Sequence, residues 1–107
     1  MVVRFRRHQP IEDLELRKKQ IRIWMKEVEA STILNVAMQR EFFAQNTPGL
    51  EGRYVLQTSN GAITSKSQTY LRKHYSYLVK YHAATDLYNE ADADRFLKSF
   101  KFTSNTD

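Results

Sequence analysis

Alternation of apolar and polar side chains dominates the middle of the chain and predicts strands there. Residues 52–59 alternate, residues 62–71 are rich in Ser and Thr, and residues 75–83 alternate again. A period of two is typical of a strand whose two faces meet different surroundings. Asn60-Gly61 stands between the first two runs and predicts a hairpin, because a type I′ turn needs positive φ at both central residues. The pattern therefore predicts a β-meander.

The third run would place aromatic and cationic side chains on opposite faces of one strand. One face would carry Tyr75, Tyr77, Val79 and Tyr81. The other would carry Ser76, Leu78, Lys80 and His82. We predict a turn at Lys73-His74 before this strand. Without that turn, a single strand over residues 68–83 would line up Arg72, His74, Lys80 and His82 on one side.

Two segments have the 3.6-residue period of amphipathic helices. The first runs from Ile11 to Glu29, and Pro10 stands where such a helix can begin. Its apolar face comprises Leu14, Ile21, Trp24, Met25 and Val28. The second is a short closing helix with Asn89 as its N-cap. Its apolar face comprises Phe96, Leu97 and Phe100.

Residues 30–46 leave two interpretations open. Their β-branched residues favour a strand over residues 32–43, which we prefer, whereas their second half would also propagate a helix. In the alternative, one long helix spans residues 11–45. The Thr-Pro-Gly sequence at 47–49 predicts a firm break in either case.

The N-terminal residues 1–9 form either a short exposed strand or a flexible arm, because residues 2–7 alternate only weakly. Their basic side chains would suit phosphate contacts or would simply be solvated. These side chains are Arg4, Arg6, Arg7 and His8. At the other end, residues 103–107 are predicted to form a tail.

These elements predict one α+β domain over residues 1–107. An antiparallel β-meander sheet would pack against the N-terminal amphipathic helix and the short C-terminal helix. The length of 107 residues is near the commonest domain size.

Charge is concentrated in the predicted meander. The protein has a net charge of +5 and a pI near 9.6. Residues 52–85 contain five Lys or Arg and no Asp or Glu, so this stretch alone accounts for the net charge. An acid-free basic stretch favours an acidic partner such as nucleic acid, an anionic membrane or an acidic protein face.

The candidate binding residues follow from this stretch. The predicted partner-binding set is Arg53, Lys66, Arg72, Lys73, His74 and Lys80. Tyr70 and Tyr75 are the candidates for stacking on bases. The predicted turn at residues 72–74, where three cationic or titratable side chains gather, is the narrower candidate for the contact surface.

No motif points to catalysis. The chain has no cysteine, no Gly-rich phosphate loop and no nucleophile elbow, so we expect a non-enzymatic protein without a cofactor. His74 and His82 would lie about 26 Å apart along an extended strand, which is too far for one metal ion. No metal site is predicted.

One family resemblance rests on the order of the elements and on short motifs. Pro48-Gly49 before a strand, Tyr-rich strand segments and the closing sequence FLKSFKF over residues 96–102 resemble PsbP-type domains. The resemblance covers about residues 48–102. It implies an antiparallel sheet between helices and a binding or accessory role. That superfamily shares no catalytic site, so the resemblance assigns no functional residues.

The sequence thus predicts a binding or accessory domain that contacts an acidic protein partner through a basic β-hairpin surface. The alternative is a small basic nucleic-acid-binding protein, or an inhibitor of a nucleic-acid enzyme. An edge strand would also allow a homodimer. No transmembrane segment or signal peptide is predicted, which together with the absence of Cys favours the cytoplasm unless the chain is part of a longer protein.

Overall fold

An antiparallel sheet of five strands forms the centre of the structure, with one helix on each face. The computed structural model describes residues 1–103. The α+β class and the packing of the sheet against an N-terminal and a C-terminal helix are therefore confirmed. The elements are β1 (Val2–Arg7), α1 (Leu14–Glu29), β2 (Leu34–Ala44), β3 (Thr47–Thr58), β4 (Gly61–Leu71), β5 (Tyr75–Ala84) and α2 (Glu90–Ser99).

The strands lie in the order β1-β5-β4-β3-β2, so a four-strand meander is extended at one edge by β1. The N-terminal segment is a strand and not an arm, because β1 pairs antiparallel with β5 along its whole length. Phe5 lies opposite Tyr77 in this pairing, and Val2 lies opposite Lys80.

The sheet buries side chains on both faces. Leu71 and Tyr70 are neighbours in β4 and therefore point to opposite faces. Leu71 packs with Leu50 and with Ile21 of α1, whereas Tyr70 packs with Val79 and with Leu97 of α2. The two clusters form two thin cores. We refer to the two sides of the sheet as the α1 face and the α2 face.

The first helix begins three residues later than its apolar pattern predicted. Asp13 is the N-cap, and its side chain accepts a hydrogen bond from the backbone N–H of Glu15 at 2.8 Å. The prediction that the helix starts at Ile11, directly after Pro10, was wrong, because Asp13 satisfies the free amide groups of the first turn. The helix ends at Glu29 as predicted.

The ambiguous segment is a strand, as preferred, and the long helix over residues 11–45 does not form. The Thr-Pro-Gly sequence at 47–49 is not a break but the beginning of β3. The chain reverses just before it, at Gln45-Asn46, where φ is 53° and 55°. Both residues have the positive φ of a type I′ hairpin turn, without the glycine that normally marks one.

The other turns are close to their predicted positions. The predicted hairpin between β3 and β4 forms, but its turn lies at residues 59–60, since Gly61 already pairs with Thr58. The type I′ turn expected at Asn60-Gly61 was wrong, because Gly61 has positive φ (114°) and Asn60 does not. The turn at residues 73–74 is closed by a hydrogen bond from Arg72 N–H to Tyr75 O at 2.8 Å, so the single strand over residues 68–83 does not form. Asn89 caps α2 as predicted. The predicted tail lies outside the described residues, apart from residue 103.

Candidate binding surface

Lys66, one of the predicted binding residues, is held inside the fold. It lies on the α2 face of β4 with 8% of its surface exposed. Its ammonium group donates to Glu90 Oε1 at 2.6 Å and to Asp94 Oδ1 at 2.7 Å. Burial alone would lower the pKa of Lys66, but these hydrogen bonds raise it above its ordinary value. The side chain therefore attaches α2 to the sheet and is not available to a partner.

Arg53 belongs to the same ionic cluster, which is centred on Glu90 at the start of α2. Arg53 Nη1 donates to Glu90 Oε2 at 3.2 Å, and the hydroxyl of Tyr88 donates to the same oxygen at 2.8 Å. The hydrogen bond from Lys66 lowers the pKa of the Glu90 carboxyl, against an opposing effect of partial burial. Burial and the bond to Glu90 raise the pKa of Tyr88. The acids that the stretch 52–85 lacks are thus supplied by α2.

Arg72 is also buried, with 5% of its surface exposed. Its Nε donates to Thr47 Oγ1 at 3.3 Å, and the ring of Phe102 lies 3.6 Å from its guanidinium carbon. A guanidinium stacked on an aromatic ring is a stabilising cation–π contact. Arg72 therefore holds the segment after α2 against the start of β3.

The two predicted stacking residues have different surroundings. Tyr70 is 3% exposed and packs against Phe42, Phe100 and Phe102, so its ring belongs to the core. Tyr75 is half-buried at the start of β5, with its ring centroid 6.2 Å from that of Phe5.

Lys73 and His74 lie in the turn before β5, and their backbone groups join three elements. The carbonyl of Lys73 accepts from Ile11 N–H and that of His74 from His8 N–H, both at 2.9 Å. Both side chains are half-buried. The turn thus links the end of β1 and the approach to α1, which makes it a structural junction as well as a basic site.

Lys80 lies on the α1 face of the sheet, the side opposite Lys66 and Arg53, and other basic side chains lie near it. The register places Arg4 and Arg6 of β1 on the α1 face, together with Lys80 and His82 of β5. Lys80 is the diagonal neighbour of Arg4, at about 7 Å between their Cβ atoms. We call this group the cationic face: Arg4, Arg6, Lys80 and His82.

The cationic face is open because α1 packs over β2 and β3 at the far side of the sheet. Arg4, Arg6 and His82 are exposed, and Lys80 is half-buried. Within residues 1–103, none of the four takes part in an ion pair. This is unlike the partly buried cluster around Glu90, where each cation has a carboxylate partner.

The titration of His82 is consistent with cationic surroundings. Partial burial, the terminal amine and Lys80 together lower its pKa. Like charges disfavour a second positive charge nearby, whereas an anion bound on this face would reverse the effect.

A groove of about 370 Å³ runs beside the cationic face, between α1 and β1. Trp24 and Val28 of α1 form one wall, and Arg6 stands on the other side. The floor is uncharged and mixes the hydroxyl-bearing side chains of Ser67, Thr69 and Ser76 with Leu34, Leu50 and Tyr54. Hydroxyl groups beside cations suit carboxylate or phosphate oxygens, which accept hydrogen bonds from both.

The tyrosines of β5 lie on the opposite side from these cations. Tyr75, Tyr77 and Tyr81 point to the α2 face, where Tyr77 packs 4.9 Å from Phe102 between ring centroids. Phe5 and Val3 of β1 share this face and are 71% and 54% exposed. Strand β1 therefore carries Arg4 and Arg6 on one side and the exposed apolar Val3 and Phe5 on the other, where Arg7 follows at the end of the strand.

No protein-family model matches the chain, and no curated protein matches it.

Two further features of the described residues bear on function. Neither helix is long and apolar enough to cross a membrane. In residues 1–103, no three His, Asp or Glu side chains lie together in a way that could hold a metal ion. His74 lies in the turn before β5, and His82 lies near the other end of that strand.

The predicted cations lie in or beside the meander strands, but Arg53, Lys66 and Arg72 contact groups of the fold itself, whereas Lys80 lies on the open cationic face. The basic N-terminal residues Arg4 and Arg6 come beside Lys80 only through the pairing of β1 with β5. The alternation of Arg4, Phe5 and Arg6 was the available signal. It predicts one cationic side, but it does not identify the neighbouring strand.

Proposed function

We propose that this protein is a non-enzymatic binding domain that contacts an acidic protein partner through the cationic face. The proposal rests on one observation, which is that Arg4, Arg6, Lys80 and His82 lie together on one open side of β1 and β5. Among residues 1–103, no carboxylate forms an ion pair with any of them. Desolvating the three unpaired cations Arg4, Arg6 and Lys80 is unfavourable unless a partner supplies negative charge, which would also favour protonation of His82.

Of the six residues that the sequence predicted to bind, only Lys80 belongs to the cationic face. Lys73 and His74 lie in the turn that precedes the same strand. Arg53, Lys66 and Arg72 contact groups of the fold itself. A Glu at position 72 would place an unpaired carboxylate in the interior, so it would report on folding and not on binding.

The test is fluorescence anisotropy with a labelled poly-glutamate peptide at two salt concentrations. The variant Arg6→Glu/Lys80→Glu should weaken binding at least about tenfold, because it changes the local charge by four units. The matched control is Lys19→Glu/Lys98→Glu, which changes the charge by the same four units at two exposed cations of the helices. Equal binding by the wild type and the double variant would refute the proposal.

Nucleic acid is the second candidate, because the same cations and hydroxyl groups suit phosphates. The position of the tyrosines argues against base stacking on this face, since they belong to the other side of β5. Labelled single- and double-stranded oligonucleotides in the same titration separate the two candidates. Oligonucleotide binding that is tighter than poly-glutamate binding and falls steeply with salt would favour nucleic acid.

An accessory role agrees with the resemblance to PsbP-type domains, which stays a prediction. Its support is the arrangement of an antiparallel sheet between two helices. The resemblance adds no residue to the proposed surface.

A further inference from the structure

Strand β1 ends the sheet with one side free. It pairs with β5 on its inner side, and no other strand of the described chain lies beyond it. Alternate backbone N–H and C=O groups of an edge strand point away from the sheet and can pair with an added strand. The outer side of β1 therefore offers backbone hydrogen bonds in addition to its side chains.

The side chains of β1 define what an added strand would have to carry. Arg4 and Arg6 extend from the α1 face, and Val3 and Phe5 extend from the α2 face. Across an antiparallel or parallel pair, neighbouring side chains on one face interact directly, and opposite charges or apolar pairs are favourable. A complementary strand therefore alternates acidic residues with apolar ones.

The apolar half of this pattern has a place to pack. A groove of about 260 Å³ is lined by Val3 and Phe5 of β1 together with Tyr77, Phe100 and Phe102. Phe5 already touches Tyr75 and Tyr77 with ring centroids 6.2 and 6.3 Å apart. An apolar side chain beside Phe5 would extend this aromatic surface.

The opposite edge of the sheet lacks these properties. Strand β2 is interrupted by a bulge between Val36 and Met38, which is a common device against edge pairing. Its charged side chains are already neutralised. The ion pairs are Arg22–Glu41 at 3.1 Å and Arg40–Glu51 at 3.0 Å.

We propose that β1 captures an extended peptide segment of alternating acidic and apolar residues, which adds to the sheet as a sixth strand. This rests on the proposed function and names the form of the acidic partner. The acidic side chains pair with the cationic face, and the apolar ones pack beside Val3 and Phe5.

A second copy of this chain is a poor occupant of the same edge. When two β1 strands pair antiparallel about a two-fold axis, each face of the sheet continues across the pair. Even-numbered residues of one copy therefore lie opposite even-numbered residues of the other. In the register centred on Phe5, Arg4 of each copy would face Arg6 of the other, and like charges directly opposite are destabilising.

The test compares two peptides of about eight residues that have identical composition. One alternates Glu with Val and Phe, and the other carries all its Glu residues in one block. The alternating peptide should bind about tenfold more tightly, because only it matches both faces of β1. Equal affinities, both lost in Arg6→Glu/Lys80→Glu, would overturn strand addition but keep the acidic-partner proposal. Absence of binding by both peptides would overturn both.

A variant pair checks the edge itself. Phe5→Ala should weaken the alternating peptide about fivefold or more, because it removes the exposed ring beside the added strand. Phe43→Ala on the opposite edge strand is the matched control, since Phe43 is also exposed. Equal losses in the two variants would overturn the choice of β1.

Hydrogen exchange supplies a readout that side-chain contacts alone would not change. Amide groups of β1 that point outward should exchange rapidly in the free protein and slowly with the alternating peptide. Unchanged exchange in β1 at saturating peptide would overturn strand addition. Slow exchange of all β1 amides in the free protein, together with a dimeric mass, would favour the second copy as occupant.

Discussion

At the scale of single residues, the basic side chains of this protein divide into two groups with different surroundings. Lys66 is enclosed between Glu90 and Asp94, which lie 24 and 28 positions further along the chain. Arg4 and Lys80 lie on an open face without such acids. Position relative to α2, and not residue type, therefore decides which cation contributes to stability and which remains available for binding.

Replacing the buried ammonium should destabilise the fold. Lys66→Met keeps most of the side-chain volume but leaves Glu90 and Asp94 without their shared partner. We expect a loss of about 1–3 kcal/mol in the free energy of unfolding. Urea denaturation measures it, and Lys98→Met on the exposed side of α2 is the control. A change as small as in the control would mean that the cluster contributes no net stability.

The same cluster should make stability fall in acid. The pKa of Glu90 is lower in the folded protein than its ordinary value of 4.5. Its contribution is therefore complete above that value and is lost as the pH falls through the folded pKa. Unfolding free energies between about pH 7 and pH 3 should decrease less steeply in Lys66→Met than in the wild type. Parallel curves would show that Lys66 does not govern this titration.

Little of this division could be predicted from the residues alone. The absence of acids over residues 52–85 was a correct observation, but α2 folds back and supplies Glu90 and Asp94 to that very stretch. The face on which Lys80 lies could be predicted, because Lys80 alternates with Val79 and Tyr81, which point to the α2 face. Contacts between residues so distant in sequence depend on the fold, which local patterns do not encode.

At the scale of elements, the β2–β3 hairpin reverses direction without a glycine in its turn, and the nearby glycine serves side-chain packing instead. Gly49 is not part of a turn but lies within β3, beneath the ring of Phe42 on β2. A Cβ atom there would come within 2.6 Å of two atoms of that ring and within 2.7 Å of the backbone oxygen of Thr69. The glycine therefore makes room for the Phe42–Tyr70 ring pair, whose centroids are 5.2 Å apart.

Gly49→Ala should accordingly destabilise the protein. The added methyl group meets both a packed ring and a backbone oxygen, so relief requires movement of a strand. We expect a loss of about 1–3 kcal/mol, the usual cost of overpacking. Thermal or urea unfolding checks it. The double variant Gly49→Ala/Phe42→Leu should recover part of the loss, whereas a simple sum of the two single effects would argue against the clash with the ring.

The side chain of Gln45 connects this hairpin to the end of α2. Its Nε2 donates to Phe100 O at 3.1 Å, and its Oε1 accepts from Phe102 N–H at 2.8 Å. Gln45→Ala should cost about 1–3 kcal/mol, since two partly buried backbone groups lose their partners. The control is Gln57→Ala at the exposed end of β3. Equal unfolding midpoints for the two variants would contradict this role.

The elements themselves were largely predictable, and the exceptions have physical reasons. Alternation identified β3, β4 and β5, and the Asn89 cap identified α2. The Gln45-Asn46 turn was missed because Gln rarely adopts positive φ, whereas the adjacent Pro-Gly resembled a break. The pairing of β1 with β5 joins residues about 75 positions apart, and no short-range pattern specifies it.

At the scale of the whole molecule, charge is separated between the two faces of the sheet. On the α2 face the cations of β3 and β4 are paired with the carboxylates of α2, whereas the cationic face has no such helix above it. The free protein therefore tolerates repulsion among exposed cations. Binding sites commonly sacrifice some stability in this way.

Salt should therefore stabilise the free protein slightly. Screening weakens repulsion on the open cationic face more than attraction in the partly buried cluster. Between about 50 and 500 mM NaCl we expect the unfolding free energy to rise by on the order of 0.5 kcal/mol. Arg6→Ser/Lys80→Ser should reduce this gain. A fall in stability with salt, equal in both proteins, would contradict the assigned repulsion.

The short turn closed by Arg72 N–H and Tyr75 O also limits how the gene can change. Insertion or deletion of one residue between Leu71 and Tyr75 would exchange the faces of β5, turning Lys80 and His82 inward beneath α2 and Tyr77 and Val79 outward. Substitutions at the turn leave the faces in place. We therefore expect that, in any descendants of this gene, this turn varies in residue type while its length stays constant.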